Sequence, residues 1–183
     1  MSTPTPQALV VHESMFGNTA QVAEAVARGL GRGGYEVSLV DVAQAPTGSL
    51  DTDVLVVGAP THGFSLSRPN TREDAVRQGA DPMHAGTGVR EWLDTLPRDA
   101  HGTLAATFDT RVRKVRRLPA AAPKVARELR KRGFTLVGDA TGFYVDDVAG
   151  PLLTDELERA AAWGHQVAIA ARQHPAGSGR ESR

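Results

Sequence analysis

Five short runs rich in valine, leucine and alanine recur along this chain, at residues 8–12, 36–40, 53–58, 103–108 and 134–137. They lack strict in/out alternation, which suits strands covered on both faces, as in a parallel sheet. Between them lie stretches of helical period. Residues 19–30 put Val22, Val26 and Leu30 on one side with Ala23 and Ala27 beside them. Asn18 is the predicted N-cap with Gln21 at the capping-box position, and Gly33-Gly34 is the predicted stop. Shorter helices are expected over 89–96 and 120–132. A last one is expected over 154–172, capped by Thr154, with Leu157, Ala161, Val167 and Ala168 for its buried side. Strand–helix alternation of this kind predicts an α/β fold, a doubly wound open parallel sheet of five strands with helices on both faces.

Two connections break the pattern. Residues 40–53 contain Pro46 and Gly48, so any helix there is short or absent. Residues 64–88, rich in Gly, Pro, Ser and Arg, are too long for an ordinary connection and are expected to form a loop, a candidate lid, substrate or dimer surface, although loops of this size more often simply pack on the surface. The domain is expected to span 1–172, with a disordered tail over 173–183.

Composition removes several kinds of chemistry. The chain has no cysteine, which excludes disulfides, thiolate metal sites, cysteine-ligated iron–sulfur clusters and thiol nucleophiles. Any redox chemistry must therefore come from a cofactor. Lysine plus arginine total 21 and aspartate plus glutamate total 21, so nothing in the net charge favours nucleic acid or an anionic membrane as partner. The histidines show no HxxxH spacing, and no metal site is expected. Residues 1–7 lack the basic start and apolar run of a signal peptide, and the expected location is the cytoplasm.

In open parallel sheets, ligands bind beyond the carboxyl ends of the strands where strand order reverses. Three segments leave strand ends here, and a sheet order of 2-1-3-4-5 brings them together. The first is Ser14-Met15-Phe16-Gly17-Asn18-Thr19, which runs into the first helix. Small, hydroxyl-bearing residues at a helix start form a phosphate cradle from free backbone N–H groups and Ser/Thr hydroxyls, and Gly17 allows close approach. The same residues also serve an ordinary strand-to-helix turn, and spacing alone does not separate the two. Position 12, where a hydrolase nucleophile elbow around Ser14 would need glycine, is His12.

With its Gly-Asn-Thr ending, the Ser14–Thr19 turn resembles the phosphate loop of the flavodoxin family. Pro60, Thr61, His62, Gly63 and Phe64 are similar to that family's loop beside the flavin ring, and Gly150-Pro151-Leu152 with Trp163-Gly164 to its final helix. The resemblance implies a flavodoxin-like fold and a non-covalent FMN, its phosphate on Ser14, Asn18, Thr19 and backbone amides. It further implies Phe108, Asp109, Thr110 and Arg111 as a third flanking segment. There Asp109 would accept from the flavin pyrimidine N–H, and Phe108 or the Arg111 plane would lie beside the ring. The chain departs from the family at Phe16, where a hydroxyl is usual, at His62, where many members carry tryptophan, and in lacking the outer tyrosine. Ser-Met-aromatic-Gly is closer to flavodoxin-like quinone reductases.

Ten basic residues and one acid, Glu128, fall within residues 111–132. A cation beside the flavin would stabilise its reduced anion and raise the potential, or the segment would attract an anionic partner or nicotinamide phosphate. For Lys124 to Arg132 a solvated helix face is the preferred account, while for Arg111 to Arg117, crowded into one loop, it and the functional reading weigh evenly. Three functions follow: an electron carrier working between a reductase and an acceptor protein, an NAD(P)H:quinone or flavin reductase, possible as a homodimer, and a flavin-free interaction scaffold. No protein acid or base is expected to be catalytic, because the flavin supplies the chemistry.

Overall fold

The computed structural model describes residues 4–174. Its elements run β1 (Gln7–His12), α1 (Asn18–Arg32), β2 (Glu36–Asp41), β3 (Val54–Pro60), α2 (Pro69–Arg77), α3 (Val89–Leu93), β4 (Leu104–Val112), α4 (Ala121–Lys131), β5 (Thr135–Leu136), β6 (Thr141–Val145) and α5 (Glu156–Gln173). Every pairing between these strands is parallel, in the order β2-β1-β3-β4-β5, with β6 also on β4. The expected sheet order therefore holds. Its fifth position is shared by two strands: β5 pairs with Leu104 and Ala105, and β6 with Phe108 to Val112. Between them the backbone turns at Gly138, whose φ is 77°.

Each face of the sheet carries its own core. On one side Val10, Val56, Ala106 and Phe108 pack against α1 and α5; on the other Val11, Leu55, Val57 and Ala105 pack against α3 and α4. Val22, Ala23, Val26 and Leu30 are all buried, as the helical spacing predicts. The α1–α5 contact depends on glycine, since a Cβ at Gly29 would strike the Ala161 carbonyl and one at Gly164 the Val26 carbonyl. Phe108, Phe143 and Trp163 meet edge-to-face, with centroids 5.9–6.1 Å apart.

Several local expectations are corrected. The N-cap of α1 is Gly17, in a left-handed conformation at φ 86°, and Asn18 is the first helical residue. Helix α5 is preceded by Asp155 rather than capped by Thr154. This turn buries Glu156, which accepts from the Tyr144 N–H at 2.8 Å, and leaves Leu157 exposed. The 64–88 stretch contains α2 and a short 3-10 turn at Pro82–Ala85. Gln173, assigned to a disordered tail, is the last residue of α5, and 175–183 lie outside the described residues. Only a 3-10 turn, Val42–Gln44, occupies the 40–53 connection, as expected. Among the described residues no helix is long and apolar enough to cross a membrane.

Candidate functional site

A cleft opens at the carboxyl ends of β1, β3 and β4. The turn between β1 and α1 forms its floor. The Glu13 N–H donates to the Gly58 carbonyl at 3.0 Å, tying the turn to β3. From there Glu13 and Met15 fasten the turn to the elements below it. Met15 is buried against Ala75 and Ala80, under α2. The Glu13 carboxylate accepts from the Ser67 hydroxyl and, at 2.8 Å, from the Val89 N–H. Arg72, itself buried, donates to Ser67 at 2.9 Å and to the Ala85 and Gly86 carbonyls, and lies 3.2 Å from Glu91. Burial pushes the Glu13 carboxyl above its ordinary range, while Ser67, Val89 and Arg72 pull it back.

With those anchors in place, Ser14, Met15, Phe16, Asn18 and Thr19 all line the cleft. Between Ser14 and Thr19 no backbone N–H donates to an acceptor among the described residues. Six such donors at the head of a 15-residue helix, where the helix dipole adds to the amides, are arranged as an anion would need them. The hydroxyls complement them. Ser14 Oγ accepts from the Ala20 N–H at 3.2 Å, so its proton is available to a ligand. Thr19 and Thr110 share a hydrogen bond of 2.7 Å at the cleft wall, leaving one of the two hydroxyl protons free.

The second segment is divided. Pro60, Thr61 and His62 line the cleft. Gly63 and Phe64, with φ of 53° and 64°, form the tip of a two-residue turn closed by His62–Ser65 backbone bonds of 2.8 and 3.1 Å. Neither tip residue lines the cleft, and Phe64 is half-exposed. Burial lowers the His62 pKa below its ordinary value, so the ring is neutral at pH 7.

The third segment requires a correction. Strand β4 runs to Val112, four residues beyond the predicted end, so residues 108–111 alternate between faces. Phe108 belongs to the α1–α5 core and lies over Gly58, away from the cleft. Asp109 faces α4, where its Oδ2 accepts from the Ala122 N–H at 3.0 Å. Thr61 Oγ1 likewise accepts from the Ala121 N–H at 3.0 Å, so two side chains from outside the helix satisfy its first turn. Fully buried and engaged there, Asp109 does not reach a ligand in the cleft. Thr110 and Arg111 do line it, joined by Val112 from the end of β4 and by Val145 and Val148 from β6 and the loop after it. The last two were missed because β6 was not recognised; the apolar alternation of 143–145 is the signal that could have found it.

Arg111 Nε lies 3.2 Å from Asp109 Oδ1, a close ion pair without hydrogen-bond alignment. Burial pushes the Asp109 pKa up to about 6, with Ala122 and Arg111 acting in the opposite direction. A carboxyl raised in the folded state holds its proton more tightly than in the unfolded chain. Its contribution therefore favours folding at low pH and is lost as pH rises through about 6. Going from the ordinary 3.8 to about 6 corresponds to roughly 3 kcal/mol. Asp109→Asn should remove this pH dependence. In urea unfolding across pH 4 to 7, wild type is expected to lose about 2–3 kcal/mol relative to the variant. Parallel stability profiles would overturn the assignment.

Residues 10–83 match the flavodoxin family model. Oxidised Flavodoxin 1 from Bacillus cereus has a similar structure, at 18% identity and TM-score 0.63, over 92% of this chain and 99% of that one. A flavodoxin from the domain Archaea follows at 17% identity and TM-score 0.61, over 91% and 99%. The flavodoxin, WrbA-like protein from Agrobacterium tumefaciens is similar at 18% identity and TM-score 0.60, over 93% and 100%. The phosphate-loop turn and the first flanking segment both fall inside the matched residues. That match over residues 10–83, with the structural likeness along more than nine-tenths of the chain, shows a flavodoxin-like fold.

Proposed function

We propose that this chain holds FMN non-covalently in the cleft above β1, β3 and β4 and acts as a single-domain electron carrier. The observation that carries the reading is the run of six unsatisfied N–H groups from Ser14 to Thr19, with the hydroxyls of Ser14, Thr19 and Thr110 beside it. That donor set fits a phosphate monoester: dense, preorganised and needing no side-chain cation. When bound, FMN supplies reversible electron acceptance and donation.

The other residues shape the ring's surroundings. Met15, Phe16, Pro60, His62, Val145 and Val148 give the cleft its apolar wall, which excludes water. His62 contributes a flat ring that is uncharged at pH 7. Arg111 places a cation at the wall, but Asp109 at 3.2 Å offsets much of its field. The upward pull of Arg111 on the flavin potential is correspondingly small.

The test is a visible spectrum of the purified protein and a titration with FMN followed by flavin fluorescence. Quenching that saturates at one FMN per chain is expected, and no saturable quenching would overturn the reading. Adding NADPH alone to the loaded protein then separates carrier from reductase. The colour of a carrier persists, whereas bleaching without a second protein identifies a reductase.

A further inference from the structure

We propose that the segment following β4 docks an acidic redox protein beside the flavin cleft; this rests on the FMN reading. Arg111 and Val112 line the cleft, and the next residues form a short 3-10 turn, Arg113–Val115. Arg113, Lys114, Arg116 and Arg117 are exposed here, and none has an ion-pair partner among the described residues. No acidic residue occurs anywhere from Arg111 to Arg127. At the far end of α4, Lys131 pairs with Glu128, and the buried Arg132 with Glu128 and Asp94, whereas Arg127 and Arg130 are exposed without such a pair among the described residues. Four unpaired cations thus crowd into the five residues from Arg113 to Arg117, directly after the cleft residues Arg111 and Val112.

The surface has shape as well as charge. Leu118 is 45% exposed amid these cations. Next to it an open depression is bounded by Arg111, Pro119, Lys124 and Arg127. Arg111 belongs to both this depression and the flavin cleft, so a carboxylate seated in it lies one side chain from the cofactor site. An apolar centre ringed by unpaired cations complements a protein face carrying Asp and Glu around a hydrophobic contact. A small anion would engage the depression alone and leave Arg113, Lys114, Arg116 and Arg117 without a role.

The probe is reduced plant-type ferredoxin, a strongly acidic one-electron donor. Each productive encounter moves one electron from its iron–sulfur cluster to the flavin, and two encounters complete the flavin's two-electron reduction with protons from solvent. The second-order rate constant for the FMN-loaded protein is expected to fall about tenfold as salt rises from about 10 mM to about 300 mM. In R113E/R116E/R117E that dependence should flatten or invert while FMN affinity stays at the wild-type value. An unchanged salt dependence in the variant overturns the proposal. So does a loss of NADPH binding with no change toward ferredoxin, which would make the patch a nucleotide grip. Anisotropy of labelled ferredoxin, titrated with the flavin-free chain, reads the surface separately. Salt-sensitive binding there that the triple variant loses supports the docking face even if the FMN titration fails.

Discussion

Replacing Ser14 and Thr19 together with alanine is expected to weaken FMN binding by two orders of magnitude or more. Both hydroxyls line the cleft beside the uncommitted amides of the α1 turn. A hydrogen bond to a charged group contributes roughly 1.5–3 kcal/mol, so losing two costs about 3–6 kcal/mol, at about 1.4 kcal/mol per tenfold. Each side chain makes a single hydrogen bond among the described residues. Ser14 Oγ accepts one bond, from Ala20, and Thr19 has Thr110 as its partner. Thr19→Ser keeps the hydroxyl and should restore most of the affinity in an otherwise wild-type chain. Fluorescence titration of the double variant measures the effect, and wild-type affinity would mean the phosphate lies elsewhere.

Arg72→Ala should be the most damaging single change outside the sheet. The guanidinium is 1% exposed and satisfies Ser67 and the carbonyls of Ala85 and Gly86, while Ser67 satisfies Glu13. Removing it leaves two carbonyls without their donors and a buried carboxylate without its nearest cation. Breaking such a network costs about 3–5 kcal/mol, a large share of the roughly 5–15 kcal/mol that holds an ordinary domain together. Urea unfolding measures the loss. The FMN titration should weaken in parallel, because Glu13 fastens the turn whose next residue is Ser14. In E13Q/R72M both charges are gone, and the loss should be well short of the two single-variant losses added. Full additivity would show that Glu13 and Arg72 do not act as a unit.

How far the sequence was legible varied with the range of the interactions. Strand order and the α1 face were readable because period and burial are local: Val22, Val26 and Leu30 lie a turn apart and all are buried. The strand-to-helix turn at Ser14–Thr19 was readable as a turn because its backbone needs a left-handed residue, which Gly17 supplies. What failed depended on distant partners. Nothing near Asp109 shows that it will satisfy the first turn of α4, and a strand end set four residues early made it look like a loop residue. Arg72 read as one charge in a polar loop, yet its partners lie 5 to 14 residues away and at Glu91. Arg132 looked like part of a solvated face, but it is buried and donates to Asp94, 38 residues earlier. Strand β6 has its hydrogen-bonding partner in β4, about thirty residues upstream, and only the short Phe143–Val145 run to announce it.

The absence of net charge conceals a strong polarity. Residues 111–132 hold ten of the 21 cations and one of the 21 acids, so the remainder of the chain carries nine more acids than bases. With its positive pole beside the cleft, such a molecule does not migrate in an electric field at neutral pH but does turn in one. A negatively charged visitor therefore exerts a torque on it before contact, and swings the cofactor edge round to face the approach.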